Sequence, residues 1–366
     1  MSRLSPYLLR DARHSIFRDR IASLILGTAA LLAGATLPRT AAAAVYCAHT
    51  SSQLRSALVS AEDNGVDDTI RLTRTDFDTQ GSSFHAFVGA DESLTIEGGW
   101  QDAFGPCAML TNDASRTVLN GNGLSHVLDI EGSSGSGSIS VRNLTVRGGF
   151  RPDPAPWGAG LHMIGTQFGD ISIERVHFID NVSSSIGAGL YVSGGGDVSV
   201  LNSAFFGNSS YLNAAAMHVY SAHTIHFTNN TVSGNLAGQP ETSEAAAHFG
   251  TPNSGSIFLS NNIFYANTTS GQSDLHVGLT TTLITNDIES MAGTPSPLSI
   301  GNVSVDPNFI GGSNLRLQED SPVIDFGNNS ALGGVGTVDI AGYTRINGII
   351  DLGAYESAPL MSDGFE

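Results

Sequence analysis

The sequence predicts an all-β fold, a parallel β-helix closed at its N-terminal end by one helix. Three observations carry this reading. Five segments that begin at Ile139, Ile171, Val198, Ile225 and Ile257 are spaced by 32, 27, 27 and 32 residues, a period of the size that marks a repeat architecture. Within each segment apolar residues alternate with period two, the pattern of a strand with one face inward. The composition, with 43 Gly and only 14% charged residues, suits many short strands joined by turns.

Aligned from their starts, the segments read ISVRNLTVRGG, ISIERVHFIDN, VSVLNSAFFGN, IHFTNNTVSGN and IFLSNNIFYAN. Their third positions are Val141, Ile173, Val200, Phe227 and Leu259, and their eighth Val146, Phe178, Phe205, Val232 and Phe264. Like residues stacked in columns are what a solenoid needs, because each rung buries its apolar side against the next. The fifth column, Asn143, Arg175, Asn202, Asn229 and Asn261, and the eleventh, Gly149, Asn181, Asn208, Asn235 and Asn267, are predicted to turn the corners. Asn tolerates left-handed backbone and can hydrogen-bond along a stack.

A second strand follows in each rung: GAGLHM (158–163), GAGLYV (187–192), AAAMHV (214–219), AAAHFG (245–250) and SDLHV (273–277). Extra length at 150–157 and 236–244 is expected to bulge as loops. Upstream, Leu54, Leu58 and Ala61 share a helical face in SSQLRSALVSAEDNG (51–65), which ends at Gly65. This segment is the expected capping helix. The organisation read from the sequence is 1–44 leader, 45–130 cap and first rungs, 131–305 central rungs, 306–356 C-terminal cap and 357–366 tail.

The leader reading rests on Arg3, Arg10, Arg13, Arg18 and Arg20, the apolar run IASLILGTAALLAGATL (21–37) and the Ala-rich exit PRTAAAA. That is the pattern of a secretory signal peptide, with cleavage expected after Ala44. No later stretch is long and apolar enough to be expected to span a membrane. Beyond Ala44 the chain has 10 Arg, no Lys and 32 Asp plus Glu, a net charge near −22. Such a surface repels nucleic acid, anionic lipid and polyanionic sugars. Nucleic acid is therefore not an expected partner, and the chain is expected to be a monomer. Cys47 and Cys107 suggest one disulfide in an exported chain, and two thiols alone make a poor metal site.

GAGL at 158–161 and 187–190 resembles the GGA[ILV] element of chlamydial polymorphic outer membrane proteins. Phe178-x-x-Asn181, Phe205-x-x-Asn208 and Phe264-x-x-Asn267 resemble their FxxN element. VDPNFIGGSNLRLQEDSPVIDFG (305–327) and VDIAGYTRINGIIDLGAYE (338–356) resemble the D-P-x-F, S-P-x-I-D-x-G, D-x-x-G and D-x-G-A-x-E series of bacterial choice-of-anchor Q domain proteins. The resemblance covers roughly residues 45–356. It implies a right-handed, pectate-lyase-like β-helix exported to the surface, periplasm or exterior of a Gram-negative bacterium, and no particular activity. Neither an autotransporter barrel nor an LPxTG-like signal is seen. The end, MSDGFE, resembles short tails on exported proteins.

Two candidate chemistries follow. His162, Tyr191, His218, Phe249 and His276 follow the inward Leu161, Leu190, Met217, His248 and Leu275, so they are expected to face solvent as a platform for sugar rings. Polysaccharide or a cell-surface glycan is then the expected partner, and the reading is non-catalytic recognition or adhesion. The alternative is a polysaccharide lyase or glycosidase using Arg175, His177 and Asp180 for acid–base work. The neighbours of Asp180 in the columns are Gly148 and Gly207, and those of Glu174 are Arg142 and Leu201, so stacked acids are not built there. Asp306, Asp325, Asp339, Asp351 and Glu356 recur in the C-terminal motifs. Turn formation is their expected role, with calcium as the sharper alternative. No other cofactor is expected.

Overall fold

The computed structural model describes residues 43–357 apart from 63, 153–156, 239–245, 253–254 and 268–272. The expected leader, most of the tail and parts of both expected loops lie outside the described residues. The fold is the expected parallel β-helix. One face is a run of nine parallel strands, from Ala44–Ala48 through Asp68–Thr73, Leu94–Gln101, Ile139–Arg147, Ile171–Ile179, Val198–Leu201, Thr224–Thr228 and Ser256–Ser260 to Thr281–Ile284. A second face is an eight-stranded sheet from Phe84–Val88 to Met291–Gly293, and in four of the rungs the chain between the two faces adds a narrow four-stranded sheet from Phe150–Arg151 to Leu236–Ala237.

The register is the one the columns predict. Ile139 pairs with Ile171, Ile171 with Val198, Val198 with Ile225 and Ile225 with Ile257. The inward columns are buried, and Phe178 stacks on Phe205 with ring centroids 4.6 Å apart. The helix Ser51–Ser60 is capped by the Thr50 hydroxyl, which accepts from the Gln53 N–H. It adds Leu54, Ala57 and Leu58 to the same core cluster as Ala48 and Ile70. Cys47 and Cys107 are disulfide-bonded, tying the first strand to the loop after Leu94–Gln101.

The two polar columns behave differently from one another. Asn143, Arg175, Asn202, Asn229 and Asn261 all have φ between 50° and 59°, so the fifth column does turn the corner in left-handed backbone. The eleventh column does hydrogen-bond along the stack, and the expectation is corrected only in its backbone. There the left-handed residue is the one before, namely Gly148, Asp180, Gly207, Gly234 and Ala266, and the Asn side chains turn inward. Asn181, Asn208 and Asn235 are fully buried. The Asn181 Nδ2 donates to Asn208 Oδ1 at 2.9 Å, Asn208 Nδ2 to Asn235 Oδ1 at 2.8 Å, and Asn235 Nδ2 to Asn267 Oδ1 at 2.8 Å. The run ends on the Asp274 carboxylate, 2.8 Å from Asn267 Nδ2. A second ladder of the same kind, which the columns did not single out, runs Asn230, Asn262, Asn286, Asn302.

The C-terminal segment is also placed differently from the expected cap. It folds back along the side of the solenoid as a strap. Asn202 Nδ2 donates to the carbonyls of Val335 and Val338 at 3.0 and 3.2 Å, and Asn229 Nδ2 to Val335 O at 3.0 Å. Asn261 exchanges bonds with Asn328, and the Ala354 N–H donates to Thr231 Oγ1. The strap reaches the early rungs, where the Ala114 N–H donates to Ile340 O. The reason is local: corner Asn amides project outward and need acceptors, and the strap's carbonyls supply them.

Replacing Asn208 by Ala removes the amide that serves Phe178 O, Asn181 and Asn235. Orphaning buried backbone and amide groups costs about 1–3 kcal/mol each. Asn208→Ala is therefore expected to lower the unfolding free energy clearly more than Ser209→Ala, measured by chaotrope titration.

Candidate functional site

The outward column of the eight-stranded sheet is longer than the sequence indicated. Pairing places His85, Asp129, His162, Tyr191, His218, His248 and His276 in one line. From His162 onward the rings stack in succession. Centroids are 5.4 Å apart for His162 and Tyr191, 5.4 Å for Tyr191 and His218, 4.7 Å for His218 and His248, and 6.0 Å for His248 and His276.

Two expectations about this column are corrected. Phe249 does not belong to it. Ala247 takes the inward place opposite Met217, so His248 lies opposite His218 and Phe249 opposite Val219. Phe249 is buried in the core, edge-on to Phe227 at 5.0 Å. Aligning the two AAA runs slips the strand by one residue, which swaps its faces. The physical arbiter is that an inward imidazole would lack a partner, while an inward phenyl ring fills the core. The column is also less open than expected. His162 and Tyr191 are 6% and 8% exposed, whereas His218, His248 and His276 are half-buried. Trp157 covers Tyr191, with centroids 4.8 Å apart.

Below His162 lies a polar centre that the sequence reading missed. The Asp129 Oδ1 is 3.1 Å from His162 Nδ1, its Oδ2 is 3.4 Å from Arg151 Nη2, and the Oδ2 also bonds His126 Nε2. Arg151 is itself buried and donates to the carbonyls of Trp157 and Gly158. Burial opposes ionisation of Asp129. The hydrogen bonds from His126 and His162 and the charges of His126 and Arg151 outweigh it, holding the carboxyl well below the usual range. Beside this centre is an open pocket of about 430 Å³, lined by Ser82, Ser83, Leu124, His126, Phe150 and Arg151. The alignment of Asp129 with the histidine column is a matter of strand pairing.

The acid–base candidates are held apart by separate partners. Arg175 is buried at its corner against the Glu174 carboxylate. His177 lies under the strap, 6.2 Å from Tyr355 between ring centroids, and burial together with the Arg316 charge pushes its pKa down to about 4. Asp180 is exposed at the next corner with φ 52°. The structure does not assemble these three into an acid–base pair.

The C-terminal acids organise the strap. Asp339 accepts from the N–H groups of Ala341, Tyr343 and Glu356, and Asp351 from those of Asp325 and Ser357. Asp306 accepts from the Asn308 N–H. Arg345, fully buried, lies 3.2 Å from the Glu356 carboxylate and donates to the carbonyls of Asp351 and Gly353. Burial, with Asp351 and Asp339 nearby, pushes Glu356 up to about 8. Asp306 and Asp339 thus close local turns, whereas Asp351 and Glu356 join separate stretches of the strap. Among the described residues, Cys47, Asp102 and Cys107 are the one trio of metal-capable atoms within 4.8 Å of one another, but the two sulfurs are bonded to each other. No helix of the described residues is long and apolar enough to cross a membrane. Comparison with known proteins finds no matching family and no matching curated protein.

Removing the Asp129 carboxylate takes a charged partner away from the buried Arg151 and from His126 and His162. Breaking a buried pair from one side costs about 3–5 kcal/mol, so Asp129→Ala is expected to lose stability on that scale in thermal or chaotrope unfolding. Burial and the neighbouring His248 also push His218 down to about 4. Between about 6.5 and 4 the unfolded chain therefore binds protons that the folded chain does not at His218 and His177. Stability is expected to fall as pH drops through that window. His218→Phe, which keeps the ring, is expected to flatten the slope of unfolding free energy against pH there.

Proposed function

We propose that this chain is an exported β-helix scaffold that binds a glycan without cleaving it. The observation that carries the reading is the unbroken run of stacked rings from His162 to His276, with Trp157 laid over Tyr191 and itself 38% exposed. An amphipathic ring offers a flat apolar face to sugar C–H groups, while imidazole and indole edges offer donors and acceptors for hydroxyls. Because His162 and Tyr191 are covered, contact falls to Trp157 and the exposed edges of His218, His248 and His276. A net charge near −22 beyond Ala44 disfavours polyanionic sugars, so the expected ligand is a neutral polysaccharide or cell-surface glycan.

Export rests on the basic and apolar start with its Ala-rich exit, and the Cys47–Cys107 disulfide suits an oxidising compartment. The resemblance to choice-of-anchor Q and polymorphic outer membrane proteins supports the surface, periplasm or exterior of a Gram-negative cell as the destination. A monomer is the simplest assembly for this role. The second reading, a polysaccharide-degrading enzyme, is favoured by one feature, the His126–Asp129 pair beside the 430 Å³ pocket.

The test is incubation of the chain with neutral and acidic polysaccharides, with calcium and with chelator, following both retention and release of reducing or unsaturated ends. Retention on neutral polymers without release, weakened by Trp157→Ala and by His218→Ala, is the expected result. Release of sugar ends that is lost in His126→Ala would replace binding by catalysis.

A further inference from the structure

The ring column ends in three histidines on consecutive strands, His218, His248 and His276. Of these, the first two stand in a special relation. Their Nδ1 atoms are 3.2 Å apart, and the rings overlap with an interplanar angle of 23°. We propose that His218 and His248 together bind a divalent late first-row cation, of the Zn²⁺, Ni²⁺ or Cu²⁺ class, through these two nitrogens.

The distance carries the argument. Two nitrogens held at about 2.0–2.1 Å by one tetrahedral zinc are about 3.3 Å apart. The observed separation is that of a hydrogen bond between the two imidazoles, and it holds the two nitrogens close enough to reach that bite once χ2 turns. Imidazole is a ligand that Zn²⁺, Cu²⁺ and Ni²⁺ all accept. The backbone needs no change, since the two strands are fixed in register by Met217 against Ala247 and Val219 against Phe249, all buried. What must move is one torsion. A nitrogen lone pair lies in its ring plane, so two nearly parallel rings converge on one ion only after rotation about χ2. That sp³–sp² torsion is broad.

Position along the column sets the limit of the site. His276 is two strands from His218, about 9.6 Å along the stack, too far to share an ion with it. The pair therefore supplies two ligands and leaves the remaining positions to water or to hydroxyl groups. Upstream, Tyr191 takes the place next to His218 and donates no imidazole. The site is confined to the one pair, and it does not depend on the glycan reading.

The test is calorimetric titration of the full chain at neutral pH with Zn²⁺ alone and Ni²⁺ alone, and the nitrogen hyperfine pattern of the Cu²⁺ complex by electron paramagnetic resonance. One ion per chain and two imidazole nitrogens on copper are expected. Binding should be lost in His218→Phe and in His248→Phe, which keep a stacked ring and remove the nitrogen, and kept in His276→Phe and His162→Phe. Absence of binding by the unaltered chain overturns the proposal. So does binding that persists in both His218→Phe and His248→Phe, which would place the ion elsewhere.

Discussion

The structure depends on rung-to-rung registry inside the solenoid, and the buried Asn ladders are what enforce it. An apolar column alone tolerates a slip, because one aliphatic side chain packs about as well as the next. A buried amide does not, since each lost bond leaves an unsatisfied polar group. Asn181, Asn208, Asn235 and Asn267 bond amide to amide down one corner, and Asn230, Asn262, Asn286 and Asn302 down another. Two polar rails thus fix the stacking of Phe178 on Phe205 and every column around them.

The outer surface inherits that registry. Corner residues Asn202, Asn229 and Asn261 present their amides at the rung spacing, and the strap from Val305 onward runs along them. Arg345 and the acids around it hold the strap's own turns, so the segment folds without a sheet of its own apart from the hairpin Phe309–Gly311 and Asn314–Leu317. The strap then decides what is accessible. It lays Tyr355 against His177.

On the opposite sheet the same registry lines up seven polar or aromatic side chains from His85 to His276. The chemistry changes along the line. At one end Asp129 gathers Arg151, His126 and His162 into a buried charge centre. At the other, neighbouring imidazoles meet each other, and mutual proximity with burial keeps His218 neutral down to low pH. The molecule is acidic as a whole, yet this column is built mainly of imidazole and phenol rings.

Much of this was legible in the sequence. Period-two alternation and repeats at 27 and 32 residues determine the parallel solenoid and its inward columns, because burial acts on every rung in the same way. The capping helix and the Cys47–Cys107 bond were legible for similarly local reasons. Three things were decided only by the tertiary structure. The strand Ala247–Gly250 took the register that buries Phe249 and exposes His248, since core packing outweighs the match between two Ala runs. The C-terminal segment lies along the side, because the outward amides of Asn202, Asn229 and Asn261 needed acceptors that no neighbouring residue in sequence provides. Asp129 met Arg151, His126 and His162 because two successive turns of the solenoid close over one point, and closure of that kind is a property of the folded coil, absent from any single stretch of chain.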